Sequence, residues 1–137
     1  MVPRVVLFAA LLALPSSLLA ADPARQPKPR PTIARIWRGR TTAVKADEYA
    51  RYLYEHGIRP LEEKALGVQL LREDRASESE FVTISYWESV EAMSRFAGSD
   101  PRRIHHLERD AEFLVELPSG VQVLEIVTAS GRTGGDA

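Results

Sequence analysis

The stretch VTISYWESVEAMSRFAGSDPRRIHH, residues 82–106, contains the changes of pattern that decide the fold. Its first six residues alternate between two faces, as expected for a β-strand. Ser89 then provides an N-cap for a helix over residues 90–98, and Gly98 is placed to end that helix. The stretch therefore predicts a strand that is followed directly by a helix.

The second half of the same stretch predicts a new helix. Asp100 and Pro101 suit the start of one short helix within residues 102–117, because aspartate is a favoured cap and proline is favoured at the first helical position. The second half of that range has a less regular pattern. His105 and His106 fall on this predicted helix, where adjacent side chains point about 100° apart. At most one of the two histidines would therefore face a pocket.

The rest of the chain supplies the other elements of one domain. Strand-like alternation also appears at residues 32–40, 67–74 and 120–127, with the strand of the opening stretch beginning at residue 80. Helical spacing runs over residues 44–57, where Gly57 is placed to end the helix. The order strand, helix, strand, strand, helix, strand predicts an α+β fold, the ferredoxin-like split βαβ arrangement with a four-stranded antiparallel sheet.

The alternation also suggests which side chains face the helices. We expect Tyr86 to point towards the helices, and Trp37, Thr83 and Trp87 to lie on the opposite face of the sheet. No further element remains to cover that opposite face, and a bare, half-apolar sheet is unfavourable in water. We therefore predict a homodimer that packs sheet against sheet.

The ends of the chain differ in composition from the domain at residues 32–127. Residues 1–20, MVPRVVLFAALLALPSSLLA, have one cation, a short apolar run and small residues, the layout of a secretory signal peptide. Residues 21–31 are rich in proline and predict an extended tether, and residues 128–137 predict a flexible tail. These features predict a periplasmic or secreted protein that has no membrane contact once the signal is removed.

The overall composition excludes several classes of function. Among 137 residues, 18 basic and 19 acidic side chains give a formal net charge of -1, which provides no general reason to expect nucleic acid as a partner. The chain has no cysteine, so a thiolate nucleophile, a thiolate metal site and a disulfide are all excluded. Stability must come from a packed core.

The motifs resemble the antibiotic biosynthesis monooxygenase-like family of dimeric α/β barrels. The resemblance covers residues 32–127 and rests on IARIWRGRT (33–41), YLYEHGIRPLEE (52–63) and the opening stretch. It implies a homodimer with a pocket between each sheet and its helices. Some relatives oxygenate aromatic quinols without a metal or flavin, because the substrate anion itself passes an electron to oxygen.

Another branch of the family binds haem and degrades it. That branch uses an asparagine on the first strand, a tryptophan within the second helix and a histidine shortly after that helix. This chain contains no asparagine, Phe96 falls near the tryptophan position, and the histidine falls at or next to His106. One of the three positions is therefore kept.

The candidate site residues follow from this resemblance and from side-chain chemistry. His106 is the candidate base or proton shuttle, with His105 as its alternative, and Tyr86 is the candidate hydrogen-bonding group; both His106 and Tyr86 are treated as catalytic candidates. The candidate substrate-binding residues are Trp87, Tyr49, Phe96 and Met93. The alternatives are ordinary structural roles: a surface histidine, or tryptophan in the core or dimer interface. Arg35 and Arg38 could hold an anionic group or form ion pairs at the barrel edge.

The resulting hypothesis is an exported, cofactor-independent monooxygenase-like protein that oxidises a small aromatic or quinol molecule with O2. The alternatives are a protein that binds haem or another hydrophobic ligand without turnover, and a catalytically silent dimer of the same fold.

Overall fold

The computed structural model describes residues 2–3 and 27–131. Nearly all of the predicted signal peptide, the first part of the tether and residues 132–137 of the tail lie outside the described residues. Residues 27–32 are exposed and have no regular secondary structure. No helix among the described residues is long and apolar enough to cross a bilayer.

The described chain consists of four strands and short helical segments. The elements are β1 (Ile33–Thr42), a 3-10 turn (Ala43–Lys45), α1 (Ala46–Leu53), a π-helical segment (Tyr54–Ile58), α2 (Arg59–Glu62), β2 (Gly67–Asp74), β3 (Glu78–Trp87), α3 (Val90–Ala97), α4 (Asp110–Phe113) and β4 (Gln122–Glu125). The strands form one sheet in the order β2-β3-β1-β4, with antiparallel pairing throughout. This confirms the predicted α+β, ferredoxin-like fold and the hairpin of β2 and β3.

The start of α3 confirms the local prediction in detail. The backbone N–H of Ala92 donates to the Ser89 hydroxyl over 3.1 Å, which satisfies one of the free donors at the helix start. At the other end Gly98 has φ 86°, a conformation that glycine adopts without a steric penalty. The helix therefore begins and ends where its sequence indicates.

The assignment of the two sheet faces was wrong. Phe81 and Trp87 are buried against the helices, Trp37 packs against the same core, and Thr83 is only 8% exposed. Tyr86 lies on the opposite, open face, where its hydroxyl donates to Gln69 Oε1 over 2.7 Å. A period of two establishes which residues share a face, but only packing against other elements decides which face is covered.

The first helical region does not end at Gly57. It passes through the π-helical segment and α2 to Glu62. A Cβ atom at Gly57 would lie 3.0 Å from Leu53 Cδ1 and 3.4 Å from Leu107 Cδ1. Here glycine permits close packing of the helix against a neighbouring segment, instead of ending the helix.

The short helix predicted at the start of residues 102–117 is absent, and the helical turn of this range comes later. Residues 103–106 have no regular structure, and α4 is a single turn at Asp110–Phe113. The carbonyl oxygens of Pro101 and Arg103 accept hydrogen bonds from the Arg35 side chain, and the carbonyl of Arg102 accepts from Val121 N–H. Residues of β1 and of the segment before β4 thus occupy these carbonyl oxygens. The carbonyls make no intrahelical hydrogen bonds, and the segment does not form a helix.

Candidate functional site

A cavity of about 360 Å³ lies between the sheet and the helical layer. Its walls come from the first helical region, α3 and the segment between α3 and α4, and its floor comes from β1 and β3. The lining residues are Leu53, His56, Gly57, Ile58, Pro60, Leu61, Phe96, Ala97, His105, Leu107, Asp110, Arg35, Trp37 and Thr83. Most of them are apolar, and a few polar groups converge among them, as is typical of ligand sites.

The floor of the cavity is set by the register of β1 and β3. Arg35 opposes Ser85 and Trp37 opposes Thr83, so all four residues lie on the helix-facing side. Among the described residues, the Thr83 hydroxyl is a buried side-chain group with no hydrogen-bond partner. Partial burial lowers the pKa of Arg35, because desolvation disfavours its charged form.

The Trp37 indole crosses back over its own strand at Gly39. A Cβ atom at position 39 would collide with Trp37 Cη2 and lie 2.7 Å from Cζ2. Only glycine leaves room for the ring in this orientation. The flat aromatic part of the cavity floor therefore depends on a residue that does not line the cavity.

The π-helical segment brings His56 to the cavity. Its ring packs on Tyr52 with 4.6 Å between ring centroids. Such single-turn π segments occur frequently at functional sites because they shift one side chain out of the regular helical order. No local pattern in the sequence indicates that His56 lines the cavity.

Two of the predicted substrate-binding residues, Trp87 and Met93, lie behind the cavity wall. Trp87 stacks on Phe96 with 5.4 Å between centroids, and its indole N–H donates to Ser85 Oγ over 2.9 Å. Met93 is fully buried in the core beside Trp87. Of this set, Phe96 lines the cavity directly, whereas Trp87 and Met93 support it from behind.

Tyr49 is also buried behind the wall. Its hydroxyl donates to Asp110 Oδ1 over 3.0 Å, and the other Asp110 oxygen accepts from Leu107 N–H over 2.9 Å. Burial raises the pKa of Tyr49 far above its usual value, and the nearby Asp110 charge adds to this effect. Tyr49 therefore stays a neutral phenol and holds α4 and the preceding segment against α1.

The two catalytic candidates lie outside the cavity. His105 and His106 are both exposed, and of the two only His105 lines the cavity. Tyr86 lies on the opposite face of the sheet, where it lines a separate cavity. The structure thus brings together Phe96, His105, Arg35, Trp37, His56 and Thr83.

The donor chemistry of the site is that of organic acid–base groups. Within residues 27–131, no group of three or more histidine, aspartate or glutamate side chains is arranged to hold a metal ion. The polar groups of the cavity are two imidazoles, a guanidinium, a hydroxyl and a carboxylate whose oxygens both accept hydrogen bonds. They suit proton transfer and the binding of a polar substituent on an apolar molecule.

Comparison with known proteins gives matches at the level of the fold. No family profile matches the chain, and no curated protein matches it. The crystal structure of a candidate antibiotic biosynthesis monooxygenase from Bacillus cereus matches with a TM-score of 0.53 and 15% identity, over 74% of this chain and 99% of that chain.

A second match is the haem degrader MhuD from Mycobacterium tuberculosis, whose structure has two haems in its active site. It is 19% identical, covers 72% of this chain and 99% of that chain, and has a TM-score of 0.46. The first match and the strand order β2-β3-β1-β4 together show that this chain has the ferredoxin-like fold of the antibiotic biosynthesis monooxygenases.

Proposed function

We propose that the protein is a monooxygenase-like enzyme that oxidises a small aromatic or quinol substrate with O2 in the cavity between sheet and helices. The observation that supports this proposal is the cavity of about 360 Å³, which combines an aromatic floor and wall with two imidazoles. Its volume lies near the lower end of the range for ligand sites, about 300–1,000 Å³. It suits a molecule of one or two rings.

His105 is the proposed proton acceptor. Imidazole is the side chain that most often transfers protons near neutral pH, and His105 lines the cavity. Removal of a phenolic proton gives an electron-rich anion, which passes an electron to O2 and combines with the reduced oxygen. The substrate loses two hydrogens and gains one oxygen atom, and the second oxygen atom leaves as water.

The aromatic groups would hold the substrate flat during this reaction. Trp37 provides the floor and Phe96 part of the wall, and Phe96 is in turn fixed by its stacking on Trp87. His56 lies across the same cavity and is a second candidate for proton transfer. No bound cofactor takes part in the proposed reaction.

Oxygen uptake with a panel of electron-rich quinols tests this function. We expect uptake by the wild-type protein, a loss of about 10²–10⁴-fold in His105→Ala, and little change in His106→Ala, which removes the adjacent exposed imidazole. Absence of uptake with every quinol would contradict the proposal. Equal activity in the two histidine variants would contradict the role of His105.

Haem binding without turnover is the second candidate, favoured by the two imidazoles of the cavity. His56 and His105 have the chemistry of haem ligands, but the cavity volume fits a small aromatic better than a porphyrin. A visible-absorption titration with hemin separates the two functions. A saturable Soret band that is lost in His56→Ala or His105→Ala would support haem binding. Absence of a Soret band would contradict haem binding.

We also propose that the protein is exported to the periplasm or beyond and acts there as a homodimer. The amino-terminal pattern of residues 1–20 supports export, and the half-apolar open face of the sheet supports dimerisation. N-terminal sequencing of the protein from a secreting host tests the export. A start at Met1 or Val2 would contradict it.

A further inference from the structure

Arg35 is a partly buried cation whose hydrogen-bonding partners in the structure are uncharged. Its Nε and Nη2 atoms donate to the carbonyl oxygens of Pro101 and Arg103 over 3.0 and 3.1 Å. Among the described residues, no carboxylate forms an ion pair with it, although ten such contacts involve other arginines. A guanidinium has five N–H donors, so three remain available.

Thr83 provides an unsatisfied hydroxyl on the same floor. It is 8% exposed, lines the cavity, and its hydroxyl has no partner among the described residues. Because Trp37 opposes Thr83 and Arg35 is two residues before Trp37, Arg35 and Thr83 are diagonal neighbours on adjacent strands. Such neighbours are about 7–8 Å apart at the backbone. The Thr83 hydroxyl oxygen itself is enclosed, so a ligand in the cavity would meet the Arg35 guanidinium and not this hydroxyl.

Asp110, the acidic residue of the lining, does not neutralise the charge of Arg35. The two oxygens of Asp110 accept hydrogen bonds from Tyr49 and from the backbone of Leu107, which direct the carboxylate towards the α1–α4 contact. The remaining wall is largely aliphatic and aromatic. A ligand in the cavity therefore meets an apolar surface and one cationic, donor-rich corner at the sheet.

We propose that the cavity selects a flat, apolar ligand that carries one carboxylate, which the Arg35 guanidinium binds at the sheet floor. A carboxylate matches the planar donors of arginine. The inference rests on the proposed use of this cavity as the substrate site. It narrows the substrate class to aromatic acids.

The same guanidinium connects ligand binding to the position of His105. Arg35 donates to the carbonyls of Pro101 and Arg103, which are four and two residues before His105 in the chain. An anion bound by Arg35 would thus be oriented by the group that also orients the proposed base. Arg35→Lys keeps the charge but loses the planar arrangement, so we expect it to retain only part of the preference for an acid.

Isothermal titration calorimetry with 2-naphthoate and its neutral analogue 2-naphthamide tests the proposal. We expect the wild-type protein to bind the acid at least about tenfold more tightly than the amide, since a charge-assisted bidentate pair is stronger than a neutral one. Arg35→Gln should abolish this preference, and Arg35→Lys should keep part of it.

Arg38→Gln is the matched control, because Arg38 is on the same strand but points to the open face, where it pairs with Glu80. It removes the same charge and should leave the preference intact. If Arg35→Gln fails to fold, Arg35→Lys provides the test, since it keeps the charge and should lower the preference for the acid. Equal affinity for acid and amide, a preference that persists unchanged in Arg35→Gln or Arg35→Lys, or binding of neither ligand would overturn the proposal.

The outcome is separable from the proposed oxygenase activity. Tight naphthoate binding without oxygen uptake from any quinol would support the acid site and contradict the oxygenase. Oxygen uptake with neutral quinols and no preference for naphthoate would support the oxygenase and contradict the acid site.

Discussion

At the scale of single residues, two positions shape the cavity floor. Gly39 has no Cβ at the point where the Trp37 indole crosses the strand. The Thr83 hydroxyl is buried and has no hydrogen-bond partner among the described residues. The missing Cβ avoids a steric clash, whereas the missing hydrogen bond is an electrostatic cost. Each leads to a substitution whose effect on stability has a definite direction.

Gly39→Ala should destabilise the protein by about 1–3 kcal/mol, because the new methyl group forces the Trp37 ring out of its place. Thermal unfolding and tryptophan fluorescence measure the two consequences. Gly67→Ala is the control, since a Cβ there would meet Tyr86 Cδ2 at an ordinary 3.5 Å. A stable Gly39→Ala protein with unchanged fluorescence would show that Trp37 lies elsewhere.

Thr83→Val should leave the protein as stable as the wild type or more stable by about 1–2 kcal/mol, because it removes a buried hydroxyl that has no partner. Chemical denaturation measures this change. Thr41→Val is the matched control, because the buried Thr41 hydroxyl donates to the Thr42 carbonyl over 2.9 Å and its loss should destabilise. A clear loss of stability in Thr83→Val would mean that the hydroxyl is satisfied in solution.

At the scale of elements, contacts between distant segments hold the cavity walls. The π-helical segment (Tyr54–Ile58) places the exposed His56 at the edge of the cavity, and α3 carries Phe96 on a helix whose start is capped by Ser89. The third wall is the irregular segment before α4. It is held at one end by Arg35 and at the other by the hydrogen bond from Tyr49 to Asp110.

The contact between Tyr49 and Asp110 predicts a loss of stability at alkaline pH. Because the pKa of Tyr49 is raised in the folded protein, its contribution is complete below about pH 10, the usual tyrosine pKa, and falls above it. The unfolded chain then releases a proton that the folded protein keeps. The free energy of unfolding should fall by up to about 1.4 kcal/mol per pH unit from this group.

Denaturation between pH 8 and about pH 11, compared across variants, measures this effect. Tyr49→Phe should cost about 1–2 kcal/mol at neutral pH, through loss of the hydrogen bond, and should flatten the alkaline slope. Tyr54→Phe, at a position that is 45% exposed, should leave the slope unchanged. An identical slope in wild type and Tyr49→Phe would contradict the raised pKa.

At the scale of the whole molecule, one face of the sheet has no covering element among the described residues. The apolar residues of this open face are Ile36, Leu71, Val82, Ile84 and Leu124. Leu71 and Leu124 are each 45% exposed. Towards one end of the face, Arg38 pairs with Glu80 and Arg40 with Glu78, which would give a polar rim to an interface.

Dimerisation through the open face stays a prediction, and Ile84→Asp tests it. Ile84 opposes Ile36 on one side and Gln69 on the other, so a charge there would lie in the middle of the interface. Sedimentation velocity should show a dimer for the wild type and a monomer for Ile84→Asp. Val90→Asp, an exposed change on α3, should remain dimeric, and a monomeric wild type would contradict the prediction.

The residues of the functional site were predicted only in part. Phe96 and the adjacent pair His105 and His106 follow from the likeness of their motif to a known family, and one histidine of the pair does line the cavity. His56 and the unsatisfied Thr83 had no local signal. Tyr86 and Trp87 were placed on the wrong faces, because alternation is symmetric with respect to inside and outside.

The sequence by itself determined the order of the elements, the β2–β3 hairpin and the bounds of α3, because each depends on side chains within a few residues of one another. Tertiary structure decided which sheet face the helices cover, that the helix passes through Gly57, and that His105 lies on an irregular segment. The bonds that hold this segment join Arg35 to residues 66 and 68 positions away. Contacts over such separations have no local pattern, so they arise only when the sheet and helices pack together.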